Sequence, residues 1–326
     1  MRVTKLMKIG KISQSIFNRS VMKVISNKQA NELKGTGFDC AFSACNMAMT
    51  SAQISLPQDD VAVYAFCDAY NQMVAVGGSP KIVSLSLTLT ERQSEAYLKR
   101  VVKAFSEILE QAEVIFGACQ VEVVGAVMPP IASVTLIGQS GVEMQKARPG
   151  MELVFTNYLS HGATAILAQM EQETLKDRFP YYFIKKAVDK RNSILASTEA
   201  KIISDEGIEA QAVGKGGVLG ALWAFGESIG CGMELNLKSI TISQETIEIC
   251  ELFELNPYEL YGLGSMVVAT TNGEALVEKF AEHSVKASII GKLTESNDRV
   301  ILTGEEKRFL EPVKPDELLK MIYKGE

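Results

Sequence analysis

A glycine-rich phrase in the second half of the chain is suited to binding an anion. Gly214-Lys215-Gly216-Gly217 stands directly before an apolar helical pattern. Backbone amides in the first turn of a helix have no partner within it and lie at its positive end, so they can bind phosphate or carboxylate groups. Lys215 would add a positive charge there. The alternative is a tight turn that only lets the helix pack against a strand, and the sequence leaves both open.

Histidine and cysteine are not arranged in a known metal or hydrolase motif. The two histidines, His161 and His283, form neither HxxxH nor HExxH, so a zinc hydrolase lacks its ligands. The six cysteines include no CxxC pair, which favours reduced, mostly buried thiols over disulfides or a structural zinc site. A Gly-x-Ser-x-Gly phrase at 226–230 falls at a predicted helix end, whereas a serine-hydrolase elbow needs a strand-to-helix turn.

Length and charge limit the class of protein. At 326 residues the chain exceeds the usual size of one domain, so two domains of roughly 150 residues are expected. A formal net charge of −6 provides no basic field for a nucleic-acid backbone, and we expect no such partner. No apolar run approaches the roughly 20 residues that span a bilayer, and the N-terminal residues lack the apolar core of a signal peptide. We therefore expect a cytoplasmic protein without a membrane segment.

The first half predicts a sheet with one face covered by helices. Residues 1 to about 34 indicate an irregular arm that contains a helix, and the runs CAFSAC and MAMTSAQI predict a hairpin. VAVYAFCDAYNQMVAVGG predicts a buried helix that ends at its two glycines. KIVSLSLTLT predicts a strand, after which Thr90 is expected to cap an amphipathic helix. VIFGACQVEVVG and IASVTLIGQ predict two further strands.

The second half mixes strands and helices in similar proportion. The Pro149-Gly150 turn is the best candidate boundary, giving domains 1–146 and 147–326. Helical signals run from about His161 to Leu195, and another helix follows the glycine-rich phrase. MELNLKSI, GSMVVATT, ASIIGKLTE and RVILT then predict strands, with SQETIEICELF and GEALVEKFAEHS as helices. The fold class is therefore α+β, with mixed α/β elements in two domains.

Several phrases of the chain stand in a collinear order that is typical of one protein family. In the first half these phrases are GTGFD at 35–39, NQMVAVGGSP at 71–80 and GACQ at 117–120. In the second half they are RPG at 148–150, SHGATA at 160–165, the glycine-rich phrase and ICELFELNPYELYGLGSMVVA. In this order the phrases resemble the AIR synthase-related (PurM-like) superfamily, and most of all its HypE-type hydrogenase maturation factors. The resemblance covers most of the chain, and the order of the phrases carries it.

The resemblance implies two α+β domains, a homodimer built on the first-domain sheets, and ATP with magnesium in a cleft that spans the partners. It implies nucleotide or anion binding by residues of both halves: Gly35, Gly37, Asp39, Asn71, His161, Gly214, Lys215, Gly216 and Gly217. The candidate metal ligands are Asp39 and Asp68. For His161 the alternative is a helix-start residue bonded to local backbone or solvent. Asp68 falls within a predicted helix, where a solvated or core-edge position is the alternative.

The acidic positions of the family are mostly replaced in this chain. The resemblance implies Asp at three positions where this chain has Gln72, Cys119 and Ala52. Relatives need several carboxylates because a hard cation prefers oxygen ligands and must offset the charge of the triphosphate. The printed sequence also ends without the cysteine-bearing tail typical of HypE proteins. We therefore expect a divergent member with weak or absent magnesium-dependent ATP hydrolysis.

Three other hypotheses remain open. Asp39, Asp68 and Glu122 could rebuild the metal site of an active ATP-dependent phosphotransferase or dehydratase. The chain could instead be a non-catalytic dimeric scaffold for a maturation partner. Cys40 and Cys119 could gather near the lost acidic positions, where thiolates would select a softer metal. The alternative for these thiols is ordinary packing as small core residues.

Overall fold

The computed structural model describes most of the chain. The described residues are 14–22, 40–42, 46–125, 129–141, 143–304, 306–312 and 314–323. A short helix in the predicted arm, α1 (Gln14–Phe17), continues as a π-helical turn over Asn18–Met22. Three residues of the predicted site lie outside the described residues, namely Gly35, Gly37 and Asp39.

A five-stranded sheet forms from the first half. Its strands are β1 (Cys40–Phe42), β2 (Met47–Ser55), β3 (Gly78–Leu89), β4 (Ile115–Val123) and β5 (Ile131–Ser140). They lie in the order β1-β2-β5-β3-β4, and every neighbouring pair is antiparallel except β3 with β4. The predicted hairpin is formed by β1 and β2, which pair Cys40 with Thr50. The other predicted strands of this half are also present.

Two helices, α2 (Val61–Ala75) and α3 (Glu95–Ala112), cover one face of this sheet. α2 is apolar around most of its circumference and is buried on nearly every side. α3 buries a single stripe that includes Val101, Phe105 and Leu109, because its apolar residues recur every three or four positions. The opposite face of the sheet is left open to solvent, in agreement with the predicted layer.

The start of α3 differs from the predicted one. The hydroxyl of Ser94 accepts a bond of 3.2 Å from the amide of Tyr97, which is the contact of an N-cap residue. Thr90, the predicted cap, lies at the end of the preceding strand and its hydroxyl bonds to Gln93. A polar turn therefore separates β3 from α3, and the cap prediction was four residues too early.

The second half forms a seven-stranded sheet. Its strands are β6 (Glu152–Thr156), β7 (Ala210–Val213), β8 (Gly232–Leu235), β9 (Ser265–Thr270), β10 (Ala287–Thr294), β11 (Arg299–Thr303) and β12 (Glu306–Phe309). Their order is β12-β11-β8-β10-β6-β9-β7, and β8 with β11 is the parallel pair among antiparallel ones. The sequence did not predict β7 and β12. Each has four residues and lies at an edge of the sheet, where no long apolar run marks a strand.

The helices of the second half surround this sheet. They are α4 (His161–Met170), α5 (Gln172–Lys176), α6 (Tyr181–Asp189), α7 (Ser197–Glu206), α8 (Gly217–Ile229), α9 (Gln244–Leu252), α10 (Gly273–Glu282) and α11 (Leu319–Ile322). The helical region predicted up to Leu195 is broken into three helices and a 3₁₀ turn at Lys190–Ser193. Pro180 directly precedes α6. Proline has no backbone N–H to donate and therefore cannot continue a preceding helix, but it is accepted where a new helix begins.

The two halves are joined through α2. A continuous group of buried side chains includes residues of α2, of α4 and of α11. The buried carboxamide of Asn71 donates to the carbonyl of Ile194 at 2.8 Å and accepts from the amide of Ala196 at 3.0 Å. At the surface, Arg191 pairs with Asp60 at 2.8 Å. These contacts hold the first half against the second and so fix the walls of the space between them.

Candidate functional site

A cleft of about 470 Å³ lies between the two halves. The first half lines it with strand β2 and helix α2, and the second half with the glycine-rich turn, α8 and the C-terminal segment. Four of the predicted site residues lie in its lining, namely Asp68, Gly214, Lys215 and Gly216. The structure therefore brings the glycine-rich phrase and one candidate metal ligand to the same cleft.

The glycine-rich turn leads from β7 into α8, which is the helix that the sequence predicted after the glycine-rich phrase. Gly216 is the N-cap residue of α8 and Gly217 is its first residue, with φ angles of 84° and 64°. A side chain disfavours this left-handed region. A Cβ atom on Gly217 would also lie 2.4 Å from the carbonyl oxygen of Tyr258. Glycine is thus required both for the backbone conformation and for the close approach of a neighbouring chain segment.

The amide of Gly216 is occupied by a carboxylate of the same chain. Asp316 accepts bonds from the amides of Gly216 at 2.6 Å, Leu318 at 2.9 Å and Tyr261 at 3.2 Å. Its side chain is buried, and burial raises its pKa to about 6 although the three amides act in the opposite direction. A carboxylate of the same chain therefore lies at the positive end of α8, where the sequence left open an anion site or a tight turn.

Two lysines face the same cleft. The ammonium group of Lys215 donates to the backbone carbonyl of Gln53 on β2, so this side chain crosses from the second half to the first. Lys314 pairs with Glu311 at 2.8 Å and with Glu259 at 3.4 Å. Both lysines are substantially exposed, so they can change partners when a charged ligand enters. The described lining of the cleft also contains the carboxylates of Asp68 and Asp316, so the two lysines place positive charge beside negative charge.

The acidic side chains that the structure describes in the cleft, Asp68 and Asp316, do not form a magnesium clamp. Asp68 is buried and accepts a bond of 2.9 Å from the side chain of Gln72. Burial and the nearby Asp68 raise the pKa of Tyr261 well above its usual value. In the part of the chain that the structure describes, histidine, cysteine and carboxylate side chains form no group of three or more that could hold a metal ion. Asp68 and Asp316, each already hydrogen-bonded, do not fit a Mg²⁺–triphosphate site that needs several free oxygen ligands.

Two replaced acidic positions face the cleft. Ala52 on β2 and Gln72 on α2 both lie in its lining, at positions where the resemblance implies Asp. Cys119, the third replaced position, lies on β4 and is exposed. Cys40 is buried on β1. The described cysteines therefore contribute no ligand group of three or more, and the softer-metal hypothesis gains no support from these residues.

Asn71 and His161 lie away from the cleft lining. Both polar atoms of the Asn71 side chain bond to backbone groups of the second half, which gives this residue a role in joining the halves. Its assignment to ligand binding, like that of His161, stays a prediction. The same holds for the three predicted residues outside the described ranges.

His161 is a buried, neutral histidine at the start of α4. Its Nε2 atom lies 2.6 Å from the hydroxyl oxygen of Ser193, and its ring stacks on that of Tyr158 at 6.0 Å. Burial, followed by the positive charge of Lys190, lowers the pKa of His161 to about 4. Near pH 7 the ring is therefore uncharged and does not supply a positive charge to an anion. Lys190 itself pairs with Glu245 at 3.2 Å.

Sequence reasoning missed Asp316 and Lys314. Both belong to a C-terminal tail without helical or strand periodicity, so no local pattern marks them. The contact between Asp316 and Gly216 joins positions one hundred residues apart. A proline before an acidic residue is too common to indicate such a contact.

Comparison with known sequences identifies two matching domains. Residues 32–140 match the N-terminal domain of AIR synthase related proteins, and residues 148–303 match the C-terminal domain of the same proteins. The carbamoyl dehydratase HypE of Rhodobacter capsulatus is 25% identical over 276 residues, which cover 82% of this chain and 78% of that protein. A Methanocaldococcus jannaschii protein named for hydrogenase expression and formation is 25% identical over 264 residues, covering 78% of this chain and 76% of that protein.

Solved structures share the fold at lower identity. HypE in its complex with HypF has a TM-score of 0.69 at 19% identity, covering 91% of this chain and 99% of that one. HypE in complex with ATP has a TM-score of 0.63 at 16% identity, with 96% and 98% covered. Thiamine monophosphate kinase of Aquifex aeolicus has a TM-score of 0.69 at 16% identity, with 94% and 100% covered. Because proteins of different activity are equally similar, these likenesses establish the fold alone.

Within the described residues, every helix is too short or too polar to cross a membrane.

Proposed function

Because the chain belongs to the AIR synthase related proteins, we propose that it binds a nucleotide or another anionic small molecule in the cleft between its two halves. We place it in a maturation or biosynthetic role of the HypE kind, with magnesium-dependent ATP hydrolysis weak or absent. The observation that carries this proposal is the composition of the cleft: a glycine-rich helix start and two lysines, with replaced acidic positions opposite them.

The helix start supports binding of an anion. α8 has 13 residues, so its N-terminus carries the partial positive charge of a long helix. That this position attracts a carboxylate is seen from Asp316. Lys215 and Lys314 add charges that a phosphate group can use. A similar protein, HypE, has been solved with ATP, which makes a nucleotide the first candidate.

The missing carboxylates support loss of hydrolysis. In phosphoryl transfer the protein contributes mainly positioning and charge stabilisation, and carboxylates place the metal that does much of both. Ala52 and Gln72 face the cleft and provide no charge for a metal. Asp68 is held by Gln72 inside the protein. Binding and hydrolysis are therefore separable in this chain, and we expect the first without the second.

The open face of the first sheet supports a homodimer. Cross-strand pairing aligns Met49 with Ile137, Ile137 with Ile82 and Ile82 with Ile115, so these four apolar side chains form a row across four strands. Their exposed fractions range from 43% to 67%. A row of this kind is unfavourable in water and gains stability when another surface covers it. A second copy of the chain provides the same row, and we propose that two copies meet there.

A maturation partner and a cytoplasmic location complete the proposal. A similar protein, HypE, has been solved as a complex with HypF, and this supports a protein partner of the maturation kind for the present chain. The described helices include no membrane-spanning candidate, which agrees with a cytoplasmic role.

Equilibrium titration of ATP by calorimetry tests the binding proposal. Wild-type protein should bind ATP in buffer that contains EDTA, and Lys215→Ala should bind about fivefold more weakly because a charge at the helix start is lost. Lys99→Ala is the matched control, because Lys99 is exposed on α3 outside the cleft lining. Equal affinities of wild type and Lys215→Ala, or equal losses in both variants, would remove the assignment of the ligand to this cleft.

A further inference from the structure

The C-terminal segment 314–323 forms one wall of the cleft. After β12 the chain leaves the seven-stranded sheet and returns towards the first half, where Leu318 and Met321 are buried in the shared core. Lys314, Asp316, Leu319 and Tyr323 are among its residues that line the cleft. This segment, which we call the strap, therefore joins the site to the core that links the two halves.

Asp316 attaches the strap to the helix start. Its Oδ2 atom accepts from the Gly216 amide at 2.6 Å, and its Oδ1 atom accepts from the amides of Tyr261 and Leu318 at 3.2 and 2.9 Å. A backbone amide has one hydrogen to donate, so the Gly216 amide cannot serve Asp316 and an external anion fully at the same time. The carboxylate also places a negative charge where a phosphate group would bring another.

The strap is held at a few points. Its helix, α11, has only four residues. Glu317 accepts from the amide of Asn256 at 3.1 Å and pairs with Lys320 at 2.6 Å. The amide of Glu317 also donates to the carbonyl of Glu259 at 3.2 Å, Lys314 pairs with the carboxylate of Glu259 at 3.4 Å, and the side chains of Leu318 and Met321 are buried. A short segment with few contacts can leave without unfolding either sheet, since such segments open at lower free energy than the core strands.

We propose that the strap is autoinhibitory: Asp316 occupies the anion position of α8, and a ligand anion reaches the Gly216 amide only when the strap has moved away. This inference rests on the proposed function, because it requires that the cleft binds an anion. It adds that the free protein is in a closed state and that its affinity for the ligand is reduced by the cost of opening.

Titration of ATP and of inorganic pyrophosphate onto the full-length protein in EDTA tests the proposal. Asp316→Asn keeps the size of the side chain but removes the charge that competes with the ligand, and it should bind both probes about tenfold more tightly than wild type. Glu306→Gln is the matched control, because it makes the same change of charge on β12, outside the cleft lining. This control should bind like wild type.

Met321→Ala provides a second variant that leaves the site itself unchanged. The Met321 side chain anchors the strap in the core and is not part of the cleft lining. Its truncation should loosen the strap and so raise the affinity for ATP and pyrophosphate as well. Hydrogen exchange supplies an independent readout: amides of 316–323 in the wild type should exchange faster when ATP is bound. Circular dichroism confirms that each variant is folded.

The outcomes distinguish the two proposals. Tighter binding by Asp316→Asn and Met321→Ala supports the strap, as does binding by these variants when wild type shows none. Equal or weaker binding by both variants, with wild type binding, overturns the strap and leaves the proposed function standing. If no protein binds ATP or pyrophosphate at millimolar concentration, the proposed function fails and the autoinhibitory role fails with it.

Discussion

The neutral state of His161 makes a prediction about stability and pH. Its pKa is lowered from 6.5 to about 4 in the folded protein, by burial first and then by Lys190. Between these two values the unfolded chain binds more protons than the folded one, so stability rises with pH. This contribution is fully present above pH 6.5 and is lost as the pH falls towards 4. His161 should therefore destabilise the protein in mild acid.

The magnitude follows from the two pKa values. At pH 5.0 the folded state loses about 2 kcal/mol relative to pH 7.5 through His161. Asp316 acts in the opposite direction, because burial raises its pKa to about 6 and its ionisation above that pH disfavours the folded state. A comparison of wild type with a variant at both pH values cancels the contribution of Asp316. What remains is the contribution of His161.

Urea unfolding of wild type and His161→Gln at pH 7.5 and 5.0 measures this difference. Trp223, the single tryptophan, provides the fluorescence signal, and circular dichroism provides a second. The loss of unfolding free energy between the two pH values should be about 2 kcal/mol smaller in the variant. His283→Gln, an equal replacement at an exposed helix end, is the control. Equal losses in wild type and His161→Gln would refute the neutral, buried state of this histidine.

Three further predictions concern the links between halves, the glycine turn and the dimer. Asn71→Ala should lower the unfolding free energy by about 3 kcal/mol, because it leaves two buried backbone groups unpaired. A loss below about 0.5 kcal/mol would show that the halves are held by other contacts. Gly217→Ala should lower the unfolding free energy by more than about 2 kcal/mol and weaken ATP binding, because the backbone conformation of Gly217 and its close neighbour both exclude a side chain. Unchanged stability and affinity would contradict the geometry of the turn. Light scattering should give the mass of two chains for wild type and of one chain for the Met49→Asp, Ile137→Asp double variant. The control Val102→Asp, on the exposed side of α3, should keep the mass of two chains. A wild-type monomer would refute the dimer.

The sequence predicts the elements whose cause is local. Helix α2 and strand β3 follow from long apolar or alternating runs, and the glycines at 216–217 predict the start of α8. The order of the family-like phrases predicts two domains of one fold. The start of α3 was missed because both Thr90 and Ser94 are good caps, and the choice between them depends on where β3 ends.

The contents of the site could not be predicted in the same way. The bond from Gly216 to Asp316 joins positions 100 residues apart, and the bond from Asn71 to Ile194 joins positions 123 residues apart, so no spacing pattern reports them. The short edge strands β7 and β12 exist because neighbouring strands pair with them. His161 was predicted from its phrase as an anion ligand, but its charge state depends on burial and on Lys190. Tertiary contacts decide these features.

The central claim, that this chain binds a nucleotide without magnesium-dependent hydrolysis, is tested most directly by one assay. Phosphate release from ATP should be measured at steady state with excess magnesium, at protein and ATP concentrations where calorimetry shows binding. The account predicts no release above a control without protein, because the described residues of the cleft include no group of carboxylates that could hold the metal. Robust magnesium-dependent release that disappears in Asp39→Asn would contradict it, and would show that the chain has rebuilt a working metal site.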